Sequence, residues 1–170
     1  MRNRTRKQLT LFIEQQDAEN IEQIRQQFNP IQSGLIKSHV TLCREDEIEN
    51  LEQVIRNLHR LTKTEIIIEF GQVTRSDNGK GVLLPAKGDN TDFQDIRKQI
   101  LFESSSNPRK QEPHVTLMHP RNSTCTDEIF EEIKKIRLPV KLTFKRITLI
   151  EQNDGGQWSP IQHFELLNST

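Results

Sequence analysis

The tetrapeptide His-Val-Thr-Leu is spelled twice in this chain, at His39–Leu42 and at His114–Leu117, although the chain has only five histidines. Side chains along a β-strand alternate between faces with a period of two. Each copy therefore sends its His and Thr to one face and its Val and Leu to the other, a polar front on an apolar back. An imidazole trades protons near neutrality, its ordinary pKa being about 6.5. Two such fronts facing each other would place a base, an acid and two hydroxyl donors around one atom. Splitting a phosphodiester needs that set: a base for the attacking oxygen, an acid for the departing one, and donors to the oxygens where charge builds. This chemistry calls for no metal and no cofactor.

The remaining sequence supplies elements to carry the two words. Lys7–Ile13 alternates, with Leu9, Leu11 and Ile13 on one face, and predicts a strand. Asp17 is the expected N-cap of a helix bearing Ile21, Ile24 and Phe28, which Asn29-Pro30 ends. A loop over Ile31–Gly34 leads into the first histidine strand, Ile36–Cys43. A helix from Glu45 to Arg60 and a β-branched strand, Glu65–Phe70, follow. Arg75–Gly81 is the strongest turn or linker signal. The order then repeats: strand Val82–Ala86, helix Thr91–Glu103, polar loop Ser104–Lys110, second histidine strand Glu112–His119, a helix capped by Thr126 or Asp127, and a long strand Leu138–Ile150. The Asn153–Gly156 turn opens a terminal strand, Ile161–Leu167. The helices after the two motifs both begin Asp-Glu-Ile, and the motif histidines stand close to half a chain length apart. The expectation is a single domain over residues 1–170 with duplicated β-α-β-α-β units at about 7–74 and 81–151 and a last strand near 157–167.

Composition narrows the function classes. Lys plus Arg and Asp plus Glu balance at 24 each. A neutral chain is not built to coat long nucleic acid, which takes many phosphate contacts, but a local anion pocket stays open to it. No apolar run of signal-peptide or membrane-spanning type is present. Cys43 and Cys125 have no metal-type spacing. The expectation is a cytoplasmic monomer with reduced thiols, no metal and no membrane partner. The basic run Met1–Lys7 reads as a solvated tail in preference to a phosphate-contacting segment.

The twin His-x-Thr-apolar words, their separation and the repeated element order resemble the two-histidine (2H) phosphoesterase superfamily, in its bacterial 2′-5′ RNA ligase-like branch. The resemblance runs from about Leu9 to Leu167. It implies an α+β fold, a two-lobed pseudo-symmetric duplication with two antiparallel sheets lining a central groove. It implies a metal-independent hydrolase acting on 2′,3′-cyclic phosphates or 2′-5′ linkages, with RNA 3′ ends or small cyclic nucleotides as partners. Carried over by position, His39 and His114 are the catalytic pair, and Thr41 and Thr116 bind the phosphate. Many members place Arg five residues after the motif His. The first copy has Arg44 there, the second has His119 with Arg121 beyond it, so these three are the candidate substrate contacts. The same residues fit two other readings: an RNA-end binding module without turnover, and a 2′-5′ ligase running the reverse reaction.

Each feature also has a plainer explanation. One His-x-Thr alone is better read as a core histidine beside a β-favouring Thr; two in matching slots favour catalysis. His119 either lines a groove mouth or simply ends a strand before Pro120. A zinc site from His39, His114 and His119 lacks a completing carboxylate or thiol at a recognisable spacing. His59 sits in a last helical turn and reads as structural, and His163 has no evident partner. Trp158 could stack on a base, but beside Pro160 it reads as packing. Phe102, Phe130 and Phe144 read as core, and Lys141 and Lys145 as the wet face of a strand.

Overall fold

Both motif words fold as strands, β2 (His39–Cys43) and β6 (His114–Met118), with one burial pattern: His and Thr half-exposed, Val and Leu buried. The structure, a computed structural model, describes residues 4–105 and 108–166. The first three residues of the basic run, Ser106 and Asn107 of the polar loop, and Leu167 of the expected last strand lie outside the described residues.

The first half runs β1 (Thr5–Phe12), α1 (Gln15–Phe28), α2 (Pro30–Leu35), β2, a short 3-10 turn (Glu45–Glu47), α3 (Leu51–Leu58) and β3 (Ile66–Glu69). A hairpin of β4 (Thr74–Ser76) and β5 (Gly81–Pro85) opens the second half. It continues with α4 (Thr91–Ile100), β6, α5 (Asp127–Lys134), β7 (Lys141–Phe144), β8 (Arg146–Asn153) and β9 (Ser159–Glu165). The Arg75–Gly81 segment is therefore a hairpin turn, with Asp77, Asn78 and Gly79 all at positive φ.

Seven strands form one antiparallel sheet in the order β4-β5-β6-β2-β1-β8-β9, and β3 and β7 pair separately. The motif strands β2 and β6 lie side by side in the large sheet, joined through a single aligned pair, Val40 with Val115, while the second half also wraps round to pair β8 with β1 and β7 with β3. Continuing that antiparallel register sets His39 beside Thr116 and Thr41 beside His114, a local two-fold arrangement. The halves match in finer detail. Between Leu9 and Thr10 the β1–β2 register slips, leaving Leu42 as an extra residue on the histidine strand. Between Val82 and Leu83 the β5–β6 register slips in the same way at Leu117. A bulge of this kind bends a strand and re-aims neighbouring side chains; here it sits next to each motif Thr. The helices cross over: α1 packs on β6 and α4 on β2, so each histidine strand is backed by the other half. Val40, Leu42 and Val115 are fully buried in that shared core.

Several expectations need correction. The helix expected over Glu45–Arg60 is broken: Asn50 accepts from the Gln53 amide at 3.4 Å and starts α3 anew. The loop at Ile31–Gly34 is helix α2, for which Pro30 occupies the first turn, where its missing N–H costs nothing. The N-cap expected at Asp17 lies at Glu14, with Asp17 inside the first turn. The long strand Leu138–Ile150 is two strands in different sheets, β7 on β3 and β8 between β1 and β9. The buried positions signal the break, since Leu142 and Phe144 fall in one phase and Ile147 and Leu149 in the other. Phe102, expected in the core, is 60% exposed: α4 stops at Ile100, and Leu101 takes the buried place. The last strand begins at Ser159, between the two expected starts, near 157 and at Ile161. Among the described residues no helix is long and apolar enough to cross a membrane.

Candidate active site

The polar fronts of β2 and β6 open on a cavity of about 440 Å³. His39, Thr41, Arg44, His114, Thr116, His119 and Arg121 all line it, so the geometry gathers every residue singled out as a candidate from the sequence. Arg6, Gln8, Arg25, Gln32, Glu45, Asp46, Gln111 and Trp158 complete most of its wall. Four arginines face two carboxylates there, so this pocket favours an anion although the whole chain is neutral.

The two imidazoles are held alike. His39 Nδ1 lies 2.8 Å from the Lys37 carbonyl oxygen, and His114 Nδ1 lies 3.0 Å from that of Glu112. A carbonyl only accepts, so Nδ1 carries the proton on both rings and Nε2 is the nitrogen left for the groove. The segment before each ring is tied down by a buried arginine. Arg25, 2% exposed, donates to the Ile36 carbonyl at 2.6 Å, and its partner Glu22 accepts from the Ser38 amide at 2.8 Å. Arg97, 1% exposed, donates to the carbonyls of Leu42 and Arg109 at 2.6 and 2.8 Å.

Their electrostatic settings differ. Phe12 meets the His39 ring edge-on at 6.1 Å, while Pro85 holds the corresponding place beside His114. Burial, reinforced by the nearby Arg25 and His114, pulls His39 down to about 4 despite its bond to Lys37. His39 is therefore neutral at pH 7, with a free lone pair on Nε2. His119 does not join the motif pair. Its Nδ1 accepts from the Arg121 amide at 3.1 Å, its own amide donates to Asn29 Oδ1 at 2.8 Å, and burial with the Arg121 charge lowers its pKa. It lines the groove just beyond the end of β6. Among the described residues no group of three or more His, Cys, Asp or Glu is placed to hold a metal ion.

Trp158 is a groove residue as well. Its amide donates to the Leu35 carbonyl at 2.9 Å, and the Arg6 guanidinium sits 5.3 Å from its ring centre. Arg6 is held in turn by Glu45 at 2.9 Å. Arg6, expected in a solvated tail, instead lies on β1 and lines the groove, and neither it nor Gln8 is marked as a groove residue by anything local, because nothing local says that β1 lies beside β2. Their alternation against the buried Leu9 and Leu11 was the available signal. His163, without an evident partner in the sequence, meets the Thr148 hydroxyl at 2.9 Å, and His59 caps α3 with its ring against Phe164.

An antiparallel α+β duplication whose two central strands each present His-x-Thr to one cleft is the architecture of the two-histidine phosphoesterases. Comparison with known proteins agrees: the family description "2′-5′ RNA ligase superfamily" matches residues 13–156, and the chain belongs to that superfamily. The fold is similar to Escherichia coli LigT in its apo form, at 14% identity and a TM-score of 0.69, over 99% of this chain and 100% of that one. LigT complexed with phosphate is similar at 15% identity and a TM-score of 0.64, over 96% and 98% of the two chains. A structure described as a phosphoesterase matches at 14% identity and a TM-score of 0.66, over 97% and 100%. No curated protein sequence matches the chain.

Proposed function

We propose that this protein is a metal-independent phosphoesterase that opens 2′,3′-cyclic phosphates, or cleaves 2′-5′ linkages, at RNA ends or on small nucleotides. The observation that carries this reading is the pair of imidazoles sharing one cavity, each with its tautomer fixed by a carbonyl two residues upstream. His39, held neutral, takes a proton from the attacking water through Nε2. His114, entering the step as the imidazolium, gives its Nε2 proton to the departing 3′ oxygen, and the product is a 2′-phosphate. Thr41 and Thr116 donate to the non-bridging oxygens, while Arg44 and the His119–Arg121 pair flank the phosphate from opposite ends of the groove. E. coli LigT, crystallised with phosphate and with 3′-AMP, supports a ligand of this kind.

The test is turnover of a panel of 2′,3′-cyclic mononucleotides, cyclic-phosphate-ended RNA and 2′-5′-linked dinucleotides in EDTA, with products resolved by ³¹P NMR. Release of a 2′-phosphate supports the reading. Binding without product after prolonged incubation would make the protein an RNA-end binding module, and joining to an added 5′-hydroxyl RNA would make it a ligase.

The base assignment has its own consequence for pH. A general base works only when unprotonated, and kcat/KM reports the free enzyme. With His39 at about 4, the acid limb of the kcat/KM profile is expected near pH 4. A limb centred on the ordinary imidazole value would remove His39 from that role. Trp158 gives a second readout. Stacking on an aromatic ring contributes roughly 1–3 kcal/mol per base. Trp158→Ala is therefore expected to raise KM for cyclic nucleotides about fivefold or more while leaving a base-free ribose cyclic phosphate unchanged. Equal losses on both substrates would exclude a stacking platform.

A further inference from the structure

We propose that Gln8 is a positioning residue that orients the Thr41 hydroxyl toward bound phosphate, so that the two motif threonines are unequal; this rests on the phosphoesterase reading above. The Gln8 Nε2 amide donates to Thr10 Oγ1 at 2.9 Å and to Thr41 Oγ1 at 3.3 Å. Each of its two N–H groups is thereby used on one hydroxyl. Thr41 Oγ1 is an acceptor in this contact, which leaves its O–H to point into the cavity, where a phosphate oxygen would take it. The support behind Gln8 is a polar row across four strands: His163, Thr148, Thr10 and Thr41 are successive aligned partners on β9, β8, β1 and β2. Thr10 is fully buried and Thr148 is 1% exposed, so the row is fixed in place.

The second half has no counterpart. Thr116 is aligned with Leu83, the position matching Thr10, and the residue matching Gln8 is Gly81. A side chain there would have to displace its neighbours, because a Cβ on Gly81 would come within 2.5 Å of Ser76 Oγ and 3.2 Å of Pro120. Among the described residues, no protein group holds the Thr116 hydroxyl. A donor already aimed at the developing charge costs no reorganisation during reaction. Thr41 is thus the stronger of the two donors.

The experiment is a double-mutant cycle on wild type, Gln8→Met, Thr41→Val and the double variant, assayed with a 2′,3′-cyclic nucleotide after thermal melts confirm folding. Gln8→Met is expected to lower kcat/KM about tenfold, with the loss in kcat rather than KM, a modest share of the effect of deleting an oxyanion donor. The same change in the Thr41→Val background is expected to cost nothing further, whereas in a Thr41→Ser background, which keeps the hydroxyl, the tenfold loss returns. Thr116→Val is expected to cost less than Thr41→Val. An equal Gln8→Met effect with and without the Thr41 hydroxyl overturns the proposal, as does full activity of Gln8→Met. If Gln8→Met does not fold, Gln8→Asn, which keeps the amide but shortens its reach, enters the same cycle. If wild type shows no turnover, the phosphoesterase reading falls, and the cycle is read instead on the affinity for inorganic phosphate. Coupling between positions 8 and 41 there supports the positioning role, and its absence overturns it.

Discussion

His39→Ala and His114→Ala are each expected to lower kcat/KM for a 2′,3′-cyclic nucleotide by about a hundred- to ten-thousand-fold, the worth of a positioned general acid or base. The two rings sit on adjacent strands, one neutral and packed against Phe12, the other beside Pro85, with both Nε2 atoms free for the cleft. On the proposed mechanism they serve two ends of one displacement, and the double variant is expected to lose little beyond the worse single change. Folding should survive, since neither residue belongs to the fully buried core and, among the described residues, each ring bonds only to a nearby carbonyl. The measurement is steady-state kinetics in EDTA, beside urea melts of each variant. Activity within threefold of wild type in either single variant would sink the two-imidazole mechanism.

The largest expected loss of stability lies elsewhere, at Glu47. Its carboxylate takes two bonds from Arg97, at 2.6 and 3.1 Å, and one from the Arg44 amide at 2.9 Å, and Arg109 approaches it at 3.6 Å. The Glu47 and Arg97 side chains are 9% and 1% exposed. Removing one partner of such a pair strands the other charge away from water, at a cost of about 3–5 kcal/mol. Glu47→Ala is therefore expected to shift the urea midpoint strongly downward. Burial alone would raise the carboxyl pKa, but the Arg97 and Arg44 bonds outweigh it and hold Glu47 below its ordinary value. The sign follows: the stabilisation is complete above the usual glutamate range and disappears as pH falls through the lowered native value. The gap between wild type and Glu47→Gln should accordingly shrink in acid. A gap independent of pH would mean that the charge contributes nothing. The pair also joins the halves, since Glu47 follows β2 while Arg97 and Arg109 belong to the second repeat.

The outline of this fold is written in short-range patterns. Alternation alone places His39, Thr41, His114 and Thr116 on polar fronts, and Thr126 caps α5 as its sequence suggests. What escapes is decided by partners distant in the chain. No local signal sets β1 against β2, so nothing in the alternation of Lys7–Ile13 distinguishes Gln8 and Thr10 from solvent-facing residues, although Thr10 is wholly buried. Arg25 and Arg97 sit in amphipathic helices where an arginine normally faces solvent; they are buried because carbonyls at the motif strands need donors. Trp158 looked like packing because only the fold returns the β8–β9 hairpin to the cleft. The break at Lys145 is marked only by the adjacent charges Lys145-Arg146 and a change of apolar phase, and the β-favouring residues on either side hide it.

A cleft with perfect two-fold symmetry would admit a ribose cyclic phosphate equally well in either direction and release 2′- and 3′-monoesters together. Here one flank offers Gln8 and Arg44, the other Gly81, His119 and Arg121. The duplicated scaffold is thus unsymmetrical in its contacts, and on the proposed phosphoesterase reading the sugar is expected to dock one way round and a single regioisomer to leave.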